Sequence, residues 1–214
     1  MEILVLQIDN NTFELLPQKA LFWKEKETLI ISDVHLGKAS HFRKNGIAIP
    51  MESGLEDLNQ LDYLLSKHLP RRLLILGDLF HSTYNQEWEY FGLLRKKHHS
   101  IECVLVRGNH DILQMNHYER HNLLVYQNSL QVDNIIFAHD VIEIADHEFI
   151  ITGHIHPGFV LYGKGRQLLA LPCFYKKKNS LIMPAFGGLT GLAHMPKNSE
   201  AEIFVLTGER VLRV

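Results

Sequence analysis

The chain has 214 residues, of which 46% are hydrophobic and 21% charged, the proportions of an ordinary globular protein. Lys and Arg number 22 against 24 Asp and Glu, a formal charge of −2. That balance excludes a strongly basic nucleic-acid coat and a polyanionic tail, while leaving room for a local basic patch.

The first residues, Met1 to Gln7, have no basic segment, only a short apolar run and no small-residue cleavage site after it, so they do not read as a signal peptide. No apolar stretch approaches the roughly 18 residues of a membrane span. Two cysteines, Cys103 and Cys173, cannot build a disulfide framework and fit a reducing compartment. The expectation is a cytoplasmic protein away from the membrane. With no repeat, low-complexity segment or linker, one domain over residues 1–214 is the simplest organisation.

In chain order, apolar runs predict buried strands at Ile3–Ile8 and Thr28–Ile31. Leu55, Leu58, Leu61 and Leu65 then recur at helical spacing between Met51 and His68. A strand at Leu73–Leu76 is followed by a helix between Gln86 and Lys97, marked by Trp88, Phe91 and Leu94. Further strands are expected at Val104–Val106, Ile135–Ala138 and Phe149–Ile151, with Cys103 packing beside the first. The last third reads as strand and turn, ending in a hairpin from Ile203–Leu206 to Val211 and Leu212. Strand and helix alternate first and strands dominate later, which implies an α/β core with a mixed sheet.

Five of these runs end in the same kind of residue. They lead into Ser32-Asp33-Val34-His35, Gly77-Asp78, Gly108-Asn109-His110-Asp111, His139-Asp140 and Gly153-His154-Ile155-His156. Ligands of open α/β sheets bind beyond the carboxyl ends of the strands, so five loops can converge on one polar centre. Imidazole and carboxylate suit Mn, Fe, Zn or Ni. Asp33 and His35, like His154 and His156, are two apart, which at an extended strand end turns both side chains one way. Gly77, Gly108 and Gly153 each precede a candidate, where a tight turn or close backbone approach is needed. Asp33, His35, Asp78, Asn109, His139, His154 and His156 are too many for one ion. Seven ligands with one bridging carboxylate suit two metals about 3.5–4 Å apart. A lone His at a strand end, or a lone Gly-Asp, is ordinarily structural; five such clusters in one chain are not coincidence. Of the other histidines, His68, His98, His99, His117, His121 and His147 read as solvated. His41 and His194 are open, and His81 is close enough to Asp78 to line the site.

These motifs, in this order from Asp33 to His156, resemble the calcineurin-like metallophosphoesterase superfamily; Ala138 stands where that family usually has Gly. The resemblance implies a four-layer αββα sandwich of two mixed sheets flanked by helices. It implies that Asp33, His35 and His156 bind one metal, that Asn109, His139 and His154 bind the other, and that Asp78 bridges. His110 would contact the phosphate or protonate the leaving oxygen, oriented by Asp111. The implied chemistry is hydrolysis by metal-activated hydroxide attacking phosphorus in line, with two divalent ions, Mn first and Fe, Zn or Ni as alternatives.

Asp33–Lys38, Leu76–Ser82 and Pro184–Gly191 look like the bacterial DNA ligase-associated metallophosphoesterases, the PdeM group. That likeness implies a phosphodiesterase or nuclease acting on DNA in repair, with an ATP-dependent ligase and a helicase as partners. Alternatives are a small-molecule or cyclic nucleotide phosphoesterase and, with metals lost, a binding scaffold. Lys176-Lys177-Lys178 after Phe174-Tyr175 offers charge beside stacking surfaces, and Arg43-Lys44, Arg71-Arg72 and Arg95-Lys96-Lys97 add positive charge. Lys38, His41 and Arg43 follow the first motif closely enough to shape substrate access.

Overall fold

The structure, a computed structural model, describes residues 4–44, 46, 53–81 and 85–214. The chain opens as an antiparallel meander of β1 (Leu4–Ile8), β2 (Asn11–Leu16), β3 (Ala20–Trp23) and β4 (Thr28–Ser32). Next come α1 (Lys38–Lys44), α2 (Ser53–His68), β5 (Arg72–Leu76), α3 (Gln86–Lys97), β6 (Glu102–Val106), α4 (Met115–Glu119) and β7 (Leu123–Tyr126). Strands β4 to β7 pair in parallel, so the first sheet is ordered β1-β2-β3-β4-β5-β6-β7, antiparallel in one half and parallel in the other.

The second sheet is built from β8 (Ser129–Val132), β9 (Ile135–Ala138), β10 (Phe149–Thr152), β11 (Pro157–Tyr162), β12 (Leu168–Lys177), β13 (Ser180–Ile182), β14 (Ala193–His194), β15 (Glu202–Leu206) and β16 (Val211–Arg213). Strand β10 pairs in parallel with β9 and β13. The expected terminal hairpin, β15 with β16, joins β12 antiparallel.

Period-2 alternation assigns the side chains of both sheets to layers. Ile30, Leu74, Leu76, Val104 and Val106 of the first sheet meet Ile135, Phe137, Phe149, Ile151, Phe174 and Phe204 of the second in one inter-sheet core. The alternate residues Leu29, Ile31, Leu73, Ile75, Cys103 and Leu105 face Leu58, Leu61, Leu65, Trp88, Phe91 and Leu94 of α2 and α3. Cys103 thus packs as expected. Asn85 caps α3 by accepting from the Glu87 N–H at 2.9 Å.

The two mixed sheets packed face to face match the family expectation. The helices flank the first sheet. Over the outer face of the second, Ile136, Ala138 and Ile150 are covered by Ile144, and Cys173, Tyr175, Ile203 and Val205 by Phe159, Leu161, Met195 and Ala201. Among the described residues that layer is loop and β-ribbon rather than helix, since the chain after β7 has strands but no α-helix. The two expected helices are found as α2 and α3; Met51, like Ile3 and Ser82, lies outside the described residues. Among the described residues, no helix is long and apolar enough to cross a membrane.

Phe137 is fully buried at the centre of the sandwich, with its ring 5.6 Å from that of Trp23. Phe137→Ala is expected to lower the unfolding free energy by about 3–5 kcal/mol in urea denaturation. A loss below about 1 kcal/mol would contradict this placement of the core.

Candidate metal centre

The parallel strands β4, β5 and β6 of one sheet and β9 and β10 of the other end at the same edge of the sandwich. Their loops are stitched together by backbone bonds. The Asp33 N–H donates to the Gly77 carbonyl at 3.1 Å, the His35 N–H to the Asp78 carbonyl at 2.8 Å, and the Gly153 N–H to the His139 carbonyl at 3.0 Å. The His154 N–H reaches the Asp33 carboxylate at 3.0 and 3.2 Å, which joins the two sheets through a site residue.

Two donor sets result. Asp33, His35 and His156 form one, and Asp78, His139 and His154 the other; in each the ligand atoms lie within 4.8 Å of one another. Asp78 Oδ2 stands between them, 3.7 Å from His35 Nε2 and 3.6 Å from His139 Nε2. Asn109 joins the second set, with Oδ1 3.0 Å from His139 Nε2. All seven sequence candidates therefore meet in one place.

The backbone achieves this in an unexpected way. Asp33, His35, Asp78, His154 and His156 have φ of 52°, 52°, 49°, 66° and 53°, left-handed values that are uncommon outside glycine. The pairs two apart are not extended. Each pair turns its side chains to the same side through two left-handed residues, and Val34 between the first pair points into the helix-side core. Such residues cost about 1–3 kcal/mol each and persist where the surroundings over-determine them. The three motif glycines serve close approach. A Cβ at Gly77 would fall 2.2 Å from His139 Nδ1, at Gly108 2.2 Å from Asp78 Oδ1, and at Gly153 2.4 Å from Asp33 Oδ2.

The donors fit cations. Both ring nitrogens of His35 and Nε2 of His156 are buried without a hydrogen-bond partner. Burial, with the nearby charge of Lys38, pushes His35 down to about 3, so its ring is neutral at neutral pH. His139 Nδ1 lies 3.0 Å from the Leu76 carbonyl. An N–H there leaves Nε2 with its lone pair facing Asn109 Oδ1 and His154 Nδ1 at 3.0 Å each. Nε2 and Asn109 Oδ1 are then two acceptors face to face, an arrangement a cation satisfies. Burial would raise Asp33, but the adjoining imidazoles of His156, whose Nε2 lies 3.4 Å from Oδ1, and of His139 hold its carboxyl below the usual value.

The neighbouring residues are placed as follows. His110 donates its backbone N–H to Asp78 Oδ1 at 2.9 Å, and its ring lies 5.3 Å from that of His35. His81 stacks on His110 at 5.0 Å, so it does line the site. Asp111 is buried and accepts from the Gly108 N–H at 2.9 Å and the Phe80 N–H at 3.3 Å, bonds that fix the loop rather than the His110 ring. Burial, reinforced by the Asp78 charge, pushes Asp111 up to about 6 even against its bond from Gly108.

Several expectations are corrected. Phe174 and Tyr175 offer no stacking surface, because both are buried, one in the inter-sheet core and the other beneath the outer loops. Lys176 pairs with Glu202 at 2.6 Å, Lys97 with Asp62 at 2.6 Å, and Arg71 with Glu27. His68, His98, His117 and His121 are not simply solvated. His98 bonds Asp62 at 2.7 Å, and the rings of His68, His117 and His121 pack on Phe22 or Trp88. A neutral imidazole has an apolar body as well as a polar edge, so polar neighbours in sequence do not place it in water.

A two-sheet sandwich carrying paired Asp/His sets around one carboxylate has the makings of a metal-dependent hydrolase. The chain belongs to the calcineurin-like phosphoesterase family, which matches residues 27–180, and is a metal-dependent phosphoester hydrolase. It is similar to the crystal structure of Pseudomonas putida nuclease MPE, with a TM-score of 0.83 and 28% identity over 100% of both chains. No curated protein matches the chain.

Gly153→Ala is expected to displace the Asp33 carboxylate and to weaken Mn²⁺ binding by about tenfold or more while the far-ultraviolet circular dichroism is kept. Parent affinity, read by calorimetric titration, would show that this close approach does not set the site.

Proposed function

We propose that the chain is a two-metal phosphodiesterase acting as a nuclease on DNA, with residues 1–214 forming one domain. The observation that carries this reading is Asp78 Oδ2 between two complete donor sets. Asp33, His35 and His156 would hold one cation and Asn109, His139 and His154 the other, with Asp78 placed to serve both sets. Two divalent ions supply water activation near neutral pH and neutralise phosphoryl oxygens that would otherwise repel an anionic nucleophile. Four imidazoles, two carboxylates and an amide suit a borderline metal, and Mn is our assignment.

The remaining work falls to the protein. The Leu76 carbonyl fixes the His139 tautomer. The Asp78–His110 backbone bond ties the proton donor to the bridging ligand. The His110 ring gives its proton to the leaving oxygen, and Asp111 holds the turn that carries it. Lys38 borders a small cavity with His35 and the His41 ring lies 5.1 Å from that of His81, which supports a role for the start of α1, with Arg43, in substrate access. The nuclease named in the structural match supports a phosphodiester substrate. DNA repair and an association with a ligase and a helicase are supported by the resemblance of Asp33–Lys38, Leu76–Ser82 and Pro184–Gly191 to the ligase-associated group, and a cytoplasmic location by the free cysteines Cys103 and Cys173.

Chelator-stripped protein is expected to hydrolyse bis-p-nitrophenyl phosphate, and then single-stranded DNA, only when Mn²⁺ is restored. Asp78→Asn should lower metal occupancy and turnover together. His110→Ala should slow turnover by about 10²–10⁴-fold with both metals retained. Lys38→Ala with Arg43→Ala should raise KM. Turnover of monoesters alone would favour a small-molecule phosphatase. Loss of both metals from His110→Ala would show that His110 is misassigned.

A further inference from the structure

We propose that Asp57 on α2 and Glu87 on α3 are positioning residues whose carboxylates clamp the two flanks of the Asp33–His35 loop and so set metal affinity at Asp33, His35 and His156. The proposal rests on the ligand assignment above.

The loop needs such a clamp because Asp33 and His35 are both left-handed, a conformation held only by the surrounding contacts. One side of the loop is fixed by the backbone bonds to Gly77 and Asp78 already described, and by the Leu36 N–H to the Leu79 carbonyl at 2.9 Å. The other side is fixed by the segment after β13. There the Phe186 N–H donates to the Ser32 carbonyl at 2.8 Å and the Gly187 N–H to the Asp33 carbonyl at 3.1 Å. The fit is close, since a Cβ at Gly187 would lie 2.3 Å from the Val34 carbonyl oxygen.

Asp57 secures this segment. Its oxygens accept from the Gly188 N–H at 2.9 and 3.2 Å, and Lys19 Nζ donates to the Phe186 carbonyl at 3.3 Å beside it. Glu87 secures the exit of the loop. Its buried carboxylate accepts from the Gly37 N–H, two residues past His35, and from Ser40 Oγ at 3.1 Å. A buried carboxylate is costly unless bonded, and both Glu87 oxygens are spent on the ligand loop and the helix it enters. Asp57, Glu87, Val34, His35 and Lys38 border one small shared cavity. The late segment flagged in the sequence, Pro184–Gly191, thereby gains a role as the strut between α2 and the first metal loop.

The test is Mn²⁺ titration of the full chain by calorimetry, in a His154→Ala background that keeps the first donor set and a His35→Ala background that keeps the second. Glu87→Ala and Asp57→Ala are each expected to weaken the first set about tenfold or more and to leave the second within about twofold. Glu87→Gln and Asp57→Asn keep an oxygen acceptor and are expected to restore most of the affinity. Parent affinity in the alanine variants, or equal losses in both backgrounds, would overturn the proposal, the latter showing a merely structural role. If Glu87→Ala does not fold, Glu87→Asp shortens the reach by one methylene and is read the same way. Two Mn²⁺ ions bound by His35→Ala alone would overturn the ligand assignment instead, and this proposal with it.

Discussion

Asp78 Oδ2 faces His35 Nε2 on one side and His139 Nε2 on the other at nearly equal distances, and the rest of the site is arranged around that shared oxygen. Lone-pair donors brought this close repel one another and lose water on burial. A flexible chain would turn them outward. Here the donors hang from the ends of parallel strands in two sheets, and the loops are bonded to one another through Gly77, Asp78, His139 and Asp33. Five left-handed candidate ligands and three glycines without room for a Cβ record how tightly the backbone is drawn in. Strain of that kind is sustained by the core beneath it.

That core explains why the site sits where it does. Each buried strand places alternate residues in different layers, so one short sequence serves the helix-side core and the inter-sheet core together. Strands β4, β5 and β6 are nearly wholly buried and in parallel register, which fixes the heights at which their loops emerge. Strands β9 and β10 do the same from the facing sheet. The edge where both groups end is where loops from the two sheets bring these Asp, Asn and His side chains together. Charge plays a lesser part at a distance, since several basic residues are already matched with carboxylates.

The parts of the fold that were legible in the sequence are those where burial on both faces leaves an unbroken apolar run, as at Leu73–Leu76 and Ile135–Ala138. The candidate ligands were legible because Asp, Asn and His directly follow such runs. Strand β2 was not named, although Phe13 and Leu15 alternate inward, because Asn11, Thr12 and Glu14 interrupt it; β3, Ala20–Trp23, is an apolar run of the legible kind and was not named either. Helix α1 carries no apolar periodicity in Lys38–Lys44 to announce it. Spacing alone could not distinguish extended from left-handed pairs at Asp33 and His35, since both turn two side chains the same way. Phe174 and Tyr175 misled in the opposite direction. Next to three lysines they look exposed, yet β12 is central in its sheet and buries both.

The central claim is that one carboxylate is shared by two metals. Anomalous diffraction at the manganese edge from crystals grown with Mn²⁺ tests it most directly. The account predicts two peaks astride Asp78, one ringed by Asp33, His35 and His156 and the other by Asn109, His139 and His154. A single peak, or two peaks with Asp78 bound to only one, would contradict it.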